Sequence, residues 1–315
     1  MGGTPLPMSG PVEFAIAIPQ FSWPGFAVGR LKGYLERAES LGFHSAWVQE
    51  DIVGEHGTLE PVALLNYAAA CTARIRLGVS VLLTPLRNPV QLAKSLSTLD
   101  QLSRGRLEVG VGLGGPTTLY PAFGIPPEHR VARFTEGLEV MRRLWAEKHA
   151  TLHGRFWRLD GVPMEPKPVQ LPHPPIWIGA HHSKALRRAV ELADGFFGAG
   201  GASTEQFEEQ MTLVRGYLRD LGRDPAAFRV AKRVYVVVDT DRAAGLRRLR
   251  EWFGRYYRDA DMADRVALVG TADQCVAGLR RVIAAGARLL LLNFVFDEME
   301  SLEWAAQELV PALRR

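Results

Sequence analysis

Gly110, Gly112 and Gly115 spell G-x-G-x-x-G inside "RGRLEVGVGLGGP" (104–116), the spacing that lets backbone approach a dinucleotide pyrophosphate. Two more glycine-bearing stretches, "IGAHHSK" (178–184) and "GFFGAGG" (195–201), offer small residues and backbone N–H groups that suit a phosphate. Glu50 and Asp51 stand side by side after an apolar run, with Glu55 and His56 close behind, and bring carboxylates and an imidazole for proton transfer. His181 and His182 are adjacent, so their side chains diverge. With no H-E-x-x-H and no cysteine cluster, no metal site is expected. Neither a G-x-S-x-G elbow nor a P-loop occurs. Phosphate binding and proton transfer are the chemistries on offer.

The elements that must position these residues alternate along the chain. Apolar, β-branched runs read as strands at 14–18, 45–49, 75–83, 107–111, 175–180, 195–199, 234–239 and 288–295. Helical patterns follow them at 29–41, 60–71, 88–102, 128–147, 183–193, 204–221, 242–256, 272–285 and 300–313. The 88–102 segment shows the signals plainly: Asn88 to cap, Pro89 at the first helical position, a stripe of Leu92, Leu96, Leu99 and Leu102, and Gly105 beyond the end. Eight strand–helix repeats predict a single-domain α/β fold, a (β/α)8 TIM barrel, ahead of an open doubly wound sheet. Residues 149–174, with five prolines and a hairpin-like piece, read as an insertion between the fourth helix and fifth strand. Residues 1–12 are expected to be a flexible N-terminal segment and 13–315 the barrel domain.

This context decides the glycine spelling. A dinucleotide fingerprint needs a helix starting at its last glycine. Here Pro116, Thr117, Thr118 and "YPAFGIPP" follow, which is a loop, and the strand before it is the fourth. An NAD-dependent dehydrogenase is therefore a minor reading, although Glu136 lies near the expected distance for its acid. Barrel active sites lie at the C-terminal ends of the strands. The candidates there are Gln20, Phe21 and Trp23, then Glu50, Asp51, Glu55 and His56. Ser80, Val81, Thr84, residues 112–120 with Tyr120, then His181, His182, Ser183, Gly198, Gly200 and Gly201 complete the set. They suggest a flat ring with a phosphate, the latter near the 183–193 helix start, which Ser183 could cap. Trp23, Phe123 and Trp157 could line an apolar pocket.

Composition narrows the class further. The chain is 47% hydrophobic and 23% charged, with a net charge of +4 from arginines scattered over helix faces, so no nucleic-acid surface is expected. No apolar run has membrane-spanning length. The N-terminus "MGGTPLPMSGP" lacks the basic and apolar regions of a signal peptide, and Leu6 stands where myristoylation wants Ser or Thr. Cys71 and Cys275 read as small buried hydrophobes. A cytoplasmic enzyme acting on a small molecule is the expectation.

With these residues assembled, the chain resembles the luciferase-like family of flavin- and deazaflavin-dependent oxidoreductases. The stretches that carry the likeness are "RIRLGVSVLLTPLRNPVQLAKSLSTLDQLSRGRLEVGVGLGG" (74–115), "FHSAWVQED" (43–51), "PPIWIGAHHSKALRRAVELADGFF" (174–197), "EGLEVMRRLW" (136–145) and "LHGRFW" (152–157). It implies a (β/α)8 barrel, a homodimer, and either coenzyme F420, preferred here, or FMN. It also implies a non-prolyl cis peptide between Ser80 and Val81 against the ring, with Glu50 near its polar edge and Gly112 beside it. Gly179, Ala180 and His181 would approach the cofactor phosphate, and Gly198, Ala199 and Gly200 would lie on its other side. Two positions depart from the family: Asp51 stands where an imidazole is common, and Gly115 where some sugar-phosphate dehydrogenases place a catalytic Glu. The proton donor or acceptor would then be Asp51, Glu50, His56 or Tyr120. Hydride transfer through F420 is the expected activity. An FMN-dependent monooxygenase is the alternative, and a non-catalytic flavin-binding barrel a minor one.

Overall fold

In the computed structural model, which describes residues 10–22, 28–54, 57–115 and 117–314, all eight expected strands form. They are β1 (Glu13–Ala17), β2 (Ser45–Val48), β3 (Arg76–Leu83), β4 (Leu107–Gly112), β5 (Ile176–Gly179), β6 (Gly195–Gly198), β7 (Arg229–Val238) and β8 (Leu289–Asn293). The sheet runs β6-β5-β4-β3-β2-β1-β8-β7, and β7 pairs back onto β6. That closed parallel order is the (β/α)8 barrel. The intervening helices are α1 (Gly29–Ser40), α2 (Pro61–Cys71), α3 (Pro89–Ser103), α4 (Arg130–Ala146), α5 (Ser183–Leu192), α6 (Thr204–Asp220), α7 (Arg242–Tyr257), α8 (Met262–Val266) and α9 (Ala272–Ala285). Among the described residues no helix is long and apolar enough to cross a membrane. Of the expected flexible segment 1–12, residues 1–9 lie outside the described residues.

The chain divides into two compact units. One takes residues 10–19, 28–47 and 177–314. Its core layer is Ala15, Trp47, Trp177, Phe197, Ala231, Leu289 and Leu291, with the Trp47 and Phe197 rings 4.9 Å apart. Here β7 begins at Arg229, five residues before the predicted start, because Lys232 and Arg233 are buried within it, 3% and 6% exposed. Ala231 faces the core layer. Lys232, on the next residue of the pleat, lies against Gly198, where a Cβ would come within 3.0 Å of its Cδ and 2.9 Å of Phe207. A further strand, Ala267–Gly270, extends the sheet beside β7; the sequence reading placed none there. Cys275 is buried, as expected, and burial pushes its thiol up to about 11.

The other unit takes residues 20–22 and 48–176. Asn88 caps α3 as predicted, accepting from Val90 N and Gln91 N at 2.9 and 3.2 Å. The insertion is a hairpin of Ala150–His153 and Arg158–Val162, followed by a segment stitched to α3 and β4. Gln170 makes the seam: its amide donates to Asp100 Oδ1 and Leu107 O at 2.8 Å each, while its N–H donates to Asp100 Oδ2. Ser97 and Gln101 reach the carbonyls of Pro166 and Lys167. Glu136 is no ribose-binding acid. Its oxygens accept the N–H groups of Arg155, Phe156 and Trp157 at 2.8–3.0 Å and so hold the tip of the insertion.

The glycine spelling resolves into packing. Gly110 sits on β4 where a Cβ would lie 2.0 Å from the carbonyl oxygen of Val79, beside the register shift between Val79 and Leu82. After β4 comes a short 3-10 turn, Thr117–Phe123, and the next α-helix starts only at Arg130. No dinucleotide-type helix begins at Gly115. Gly110→Ala should destabilise the protein by about 3 kcal/mol or more, through forced separation of β3 and β4. Gly115→Ala, with open space at its Cβ, should stay within about 0.5 kcal/mol of wild type in denaturant melts. Equal stability of the two variants would refute the assignment. Lys232 gives a second test. Burial first, then Arg233, pushes its ammonium down from 10.5 to about 7. The folded protein then binds fewer protons than the unfolded chain across that window, so stability should rise as pH climbs from about 7 towards 10.5. Urea melts of Lys232→Met across the window should lack that rise.

Candidate functional site

In the second unit the end of β2 is fixed by side chains before any chemistry is considered. Gln20, one of the candidates, is buried and clamps Gln49: its amide donates to Gln49 O at 2.7 Å, and its carbonyl accepts from Gln49 N at 2.6 Å. Next to it, Glu50 accepts from the N–H of Leu83 at the end of β3 and is paired with Arg87, whose Nε donates to Oε1 at 2.9 Å. Burial pushes the Glu50 carboxyl up, against the pull of Arg87 and the Leu83 N–H. Both oxygens are engaged and the side chain is fully covered, which ties the end of β2 to the end of β3. Asp51 is half-buried, in a turn that brings Gly54 over its carboxylate; a Cβ there would lie 3.2 Å from Oδ2. His56, Glu55 and Trp23 lie outside the described residues.

At the end of β3 the Ser80–Val81 peptide is cis, at the place the resemblance implied. Two residues past Leu82, the Thr84 hydroxyl is buried and has no hydrogen-bond partner among the described residues. Buried polar atoms rarely stay unpaired, so Thr84 offers a hydrogen bond to a ligand or a water. Gly112 ends β4, and Gly114 follows at φ +77°, where a Cβ would press on Leu83. Tyr120 is held by its own loop. Its hydroxyl donates to the Leu113 carbonyl at 3.3 Å in a covered position, and burial pushes its pKa up, so it retains its proton. Phe123 sits in the same 3-10 turn, whereas Trp157 packs with the Arg133 guanidinium 5.0 Å over its ring and belongs to the insertion.

The first unit supplies the other candidates. Gly179 ends β5, Ala180 is buried, and His181 and His182 lead into α5. The cap position is His182, not Ser183, and no side chain caps the helix, so its first N–H groups and dipole remain available to an anion. Ser183 Oγ instead accepts from Tyr217 at 3.3 Å. Desolvation, then the charges of Lys232 and His182, holds the His181 imidazole below its usual value. His181 and His182 join no metal-binding group among the described residues.

After β6, Ala199 and Ala202 both turn their carbonyls onto Lys232 Nζ, at 2.6 and 2.7 Å. Gly200 is cramped by protein rather than by a ligand: a Cβ would meet Tyr235 at 2.7 Å and Arg233 at 2.9 Å. The N–H groups of Gly200 and Gly201 have no protein acceptor among the described residues. Sequence reasoning passed over Lys232, Arg233 and the orphaned state of Thr84. The available signal was Phe228, Val230 and Ala231, apolar residues in "FRVAKR", which runs directly into "VYVVVD". Unpaired amides, an uncapped helix and a buried cation together suit a phosphate-bearing ligand.

Comparison with known proteins places these features in a family. Residues 12–289 match the model for luciferase-like monooxygenases. An uncharacterised protein of Mycobacterium tuberculosis is 38% identical over 65% of this chain and 73% of its own. An F420-dependent glucose-6-phosphate dehydrogenase of Beutenbergia cavernae is 32% identical over 72% and 69%. Among solved structures, an F420-dependent secondary alcohol dehydrogenase superposes with a TM-score of 0.84 at 20% identity, covering 97% of this chain and all of that one. The FMN-bound oxygenating constituent of 3,6-diketocamphane monooxygenase from Pseudomonas putida gives 0.77 at 18%, covering 96% and 99%. The chain belongs to the luciferase-like monooxygenase family of oxidoreductases.

Proposed function

We propose that the protein transfers hydride through coenzyme F420 to or from a small organic substrate, and that it works as a homodimer. The observation that carries the reading is the set of acceptor-free N–H groups at Gly200 and Gly201, backed by the carboxylate-free cation Lys232. That arrangement suits the phosphate of a cofactor of this kind. The choice of F420 over FMN is supported by relatives such as the glucose-6-phosphate dehydrogenase, 32% identical. When bound, the deazaflavin supplies the hydride donor or acceptor.

The chain's own residues supply orientation and proton handling. In this reading Ser80, Val81, Gly112 and Thr84 support the ring. Gly179, Ala180, His181, Gly198, Ala199 and Gly200 hold the phosphate side, and Asp51 moves the proton. Asp51 is preferred because the Glu50 oxygens are taken by Leu83 and Arg87, and the Tyr120 hydroxyl is hydrogen-bonded to Leu113 O. A second reading, an FMN-dependent monooxygenase, is favoured by Gly115. It is exposed and carries no acid where sugar-phosphate dehydrogenation would use one.

Fluorescence titration of the purified protein should show saturable binding of F420 at least ten times tighter than that of FMN. The reverse order would select the monooxygenase, and binding of neither would end the proposal. Asp51→Asn should lower turnover about 100-fold with cofactor affinity within about two-fold, the range of a lost general acid or base. Unchanged turnover would remove Asp51 from the mechanism.

A further inference from the structure

Lys232 is a lysine in an unusual position. It is 3% exposed; among the described residues its ammonium makes two hydrogen bonds, both to backbone carbonyls of one loop, and lies 5.9 Å from the centroid of the Phe207 ring. Neither of those hydrogen bonds is to a carboxylate. The ionisable groups that act on it are Arg233 on its own strand and His181 at the start of α5, neither of them acidic. A cation in such a place disfavours the fold unless something nearby repays the lost hydration.

The loop geometry indicates what it does. A trans peptide is planar, with its C=O and the following N–H pointing in opposite directions. The Ala199 carbonyl points at Lys232, so the N–H of Gly200 points away from it. The Ala202 carbonyl is drawn the same way, while the Ser203 N–H behind it is already taken by Gln206 in the capping box of α6. Lys232 thus fixes both ends of 199–202. The Gly200 N–H, on the peptide whose carbonyl is tethered, therefore faces away from the ammonium, and the neighbouring Gly201 N–H likewise has no protein acceptor among the described residues.

We propose that Lys232 is a positioning residue for anion recognition: by tethering the carbonyls of Ala199 and Ala202, it aims the Gly200 and Gly201 N–H groups at the phosphate of the cofactor. The inference rests on the cofactor reading above. It adds a residue on β7, three strands beyond the G-x-G-x-x-G stretch of β4, and assigns it the phosphate rather than the ring. Its charge also reaches His181, which it helps to hold below the usual imidazole value, so its field extends to the start of α5.

The test separates phosphate from ring. Dissociation constants are measured by fluorescence for F420 and its phosphate-free deazaflavin ribityl core, and for FMN and riboflavin. Wild type should favour the phosphate-bearing member of its preferred pair. Lys232→Met, which offers no donors to the carbonyls, should reduce that preference about ten-fold and leave affinity for the phosphate-free member within two-fold. Lys232→Gln, which keeps two N–H donors without the charge, should recover most of it. Equal weakening of both members would mean a general packing role and overturn the proposal, as would an unchanged preference. Wild type binding none of the four would overturn the cofactor reading itself. Where neither variant folds, an amide-resolved NMR titration of wild type with FMN and with inorganic phosphate decides: shifts at Gly200 and Gly201 support the proposal, and their absence overturns it.

Discussion

The contact on which the β3–β4 seam depends is between the carbonyl oxygen of Val79 and the bare Cα of Gly110. A side chain at Gly110 would begin 2.0 Å from that oxygen, so the seam closes only with glycine there. The register of β3 shifts at once, between Val79 and Leu82, and this gives Ser80 and Val81 a course unlike that of the residues before them. Glu50 then takes hold of Leu83 beyond the shift, and Arg87 compensates Glu50. The local path of β3 is thus held from one side by the absence of a methyl group and from the other by a buried carboxylate. Thr84 follows directly on the strand end that the two devices hold.

Much of this was legible in the sequence because it was local. Asn88, Pro89 and Gly105 mark the ends of α3 through backbone chemistry that a few neighbouring residues determine. The eight strands showed as apolar runs because a parallel sheet is covered on both faces. The illegible parts all involve partners far apart in the chain. The start of β7 was hidden because Lys232 and Arg233 look like surface residues until Gly198 makes room for one of them. Glu50 looked like a reagent because nothing in "VQED" reveals Leu83 N or Arg87. Glu136 and the turn at 155–157 are likewise joined across about twenty residues, and no motif spells that pairing. The site residues were named from the strand ends, but their roles depended on these distant contacts.

Four buried or half-buried charges meet the cost of desolvation in different ways, and the differences separate structure from chemistry. Glu108, near the N-terminal end of β4, is fully covered and paired with Arg76 at 2.5 Å, at the end of the barrel opposite the one where active sites lie. Glu50 combines an arginine with a backbone N–H. Glu136 uses three backbone N–H groups and thereby ties down a hairpin. In each case an anion consumes donors, and none is left over for a ligand. Lys232 is the reverse. Its partners are carbonyls, and the Ala199 carbonyl it holds leaves the Gly200 N–H of the same peptide facing the other way, while the Ser203 N–H behind Ala202 goes to Gln206. A buried carboxylate consumes the N–H groups it touches, whereas this buried ammonium leaves the Gly200 N–H on its far side without a protein acceptor among the described residues. That asymmetry is why the most costly charge in this unit lies behind the loop where an anion has amides to bind, rather than among the acids that drew the eye first.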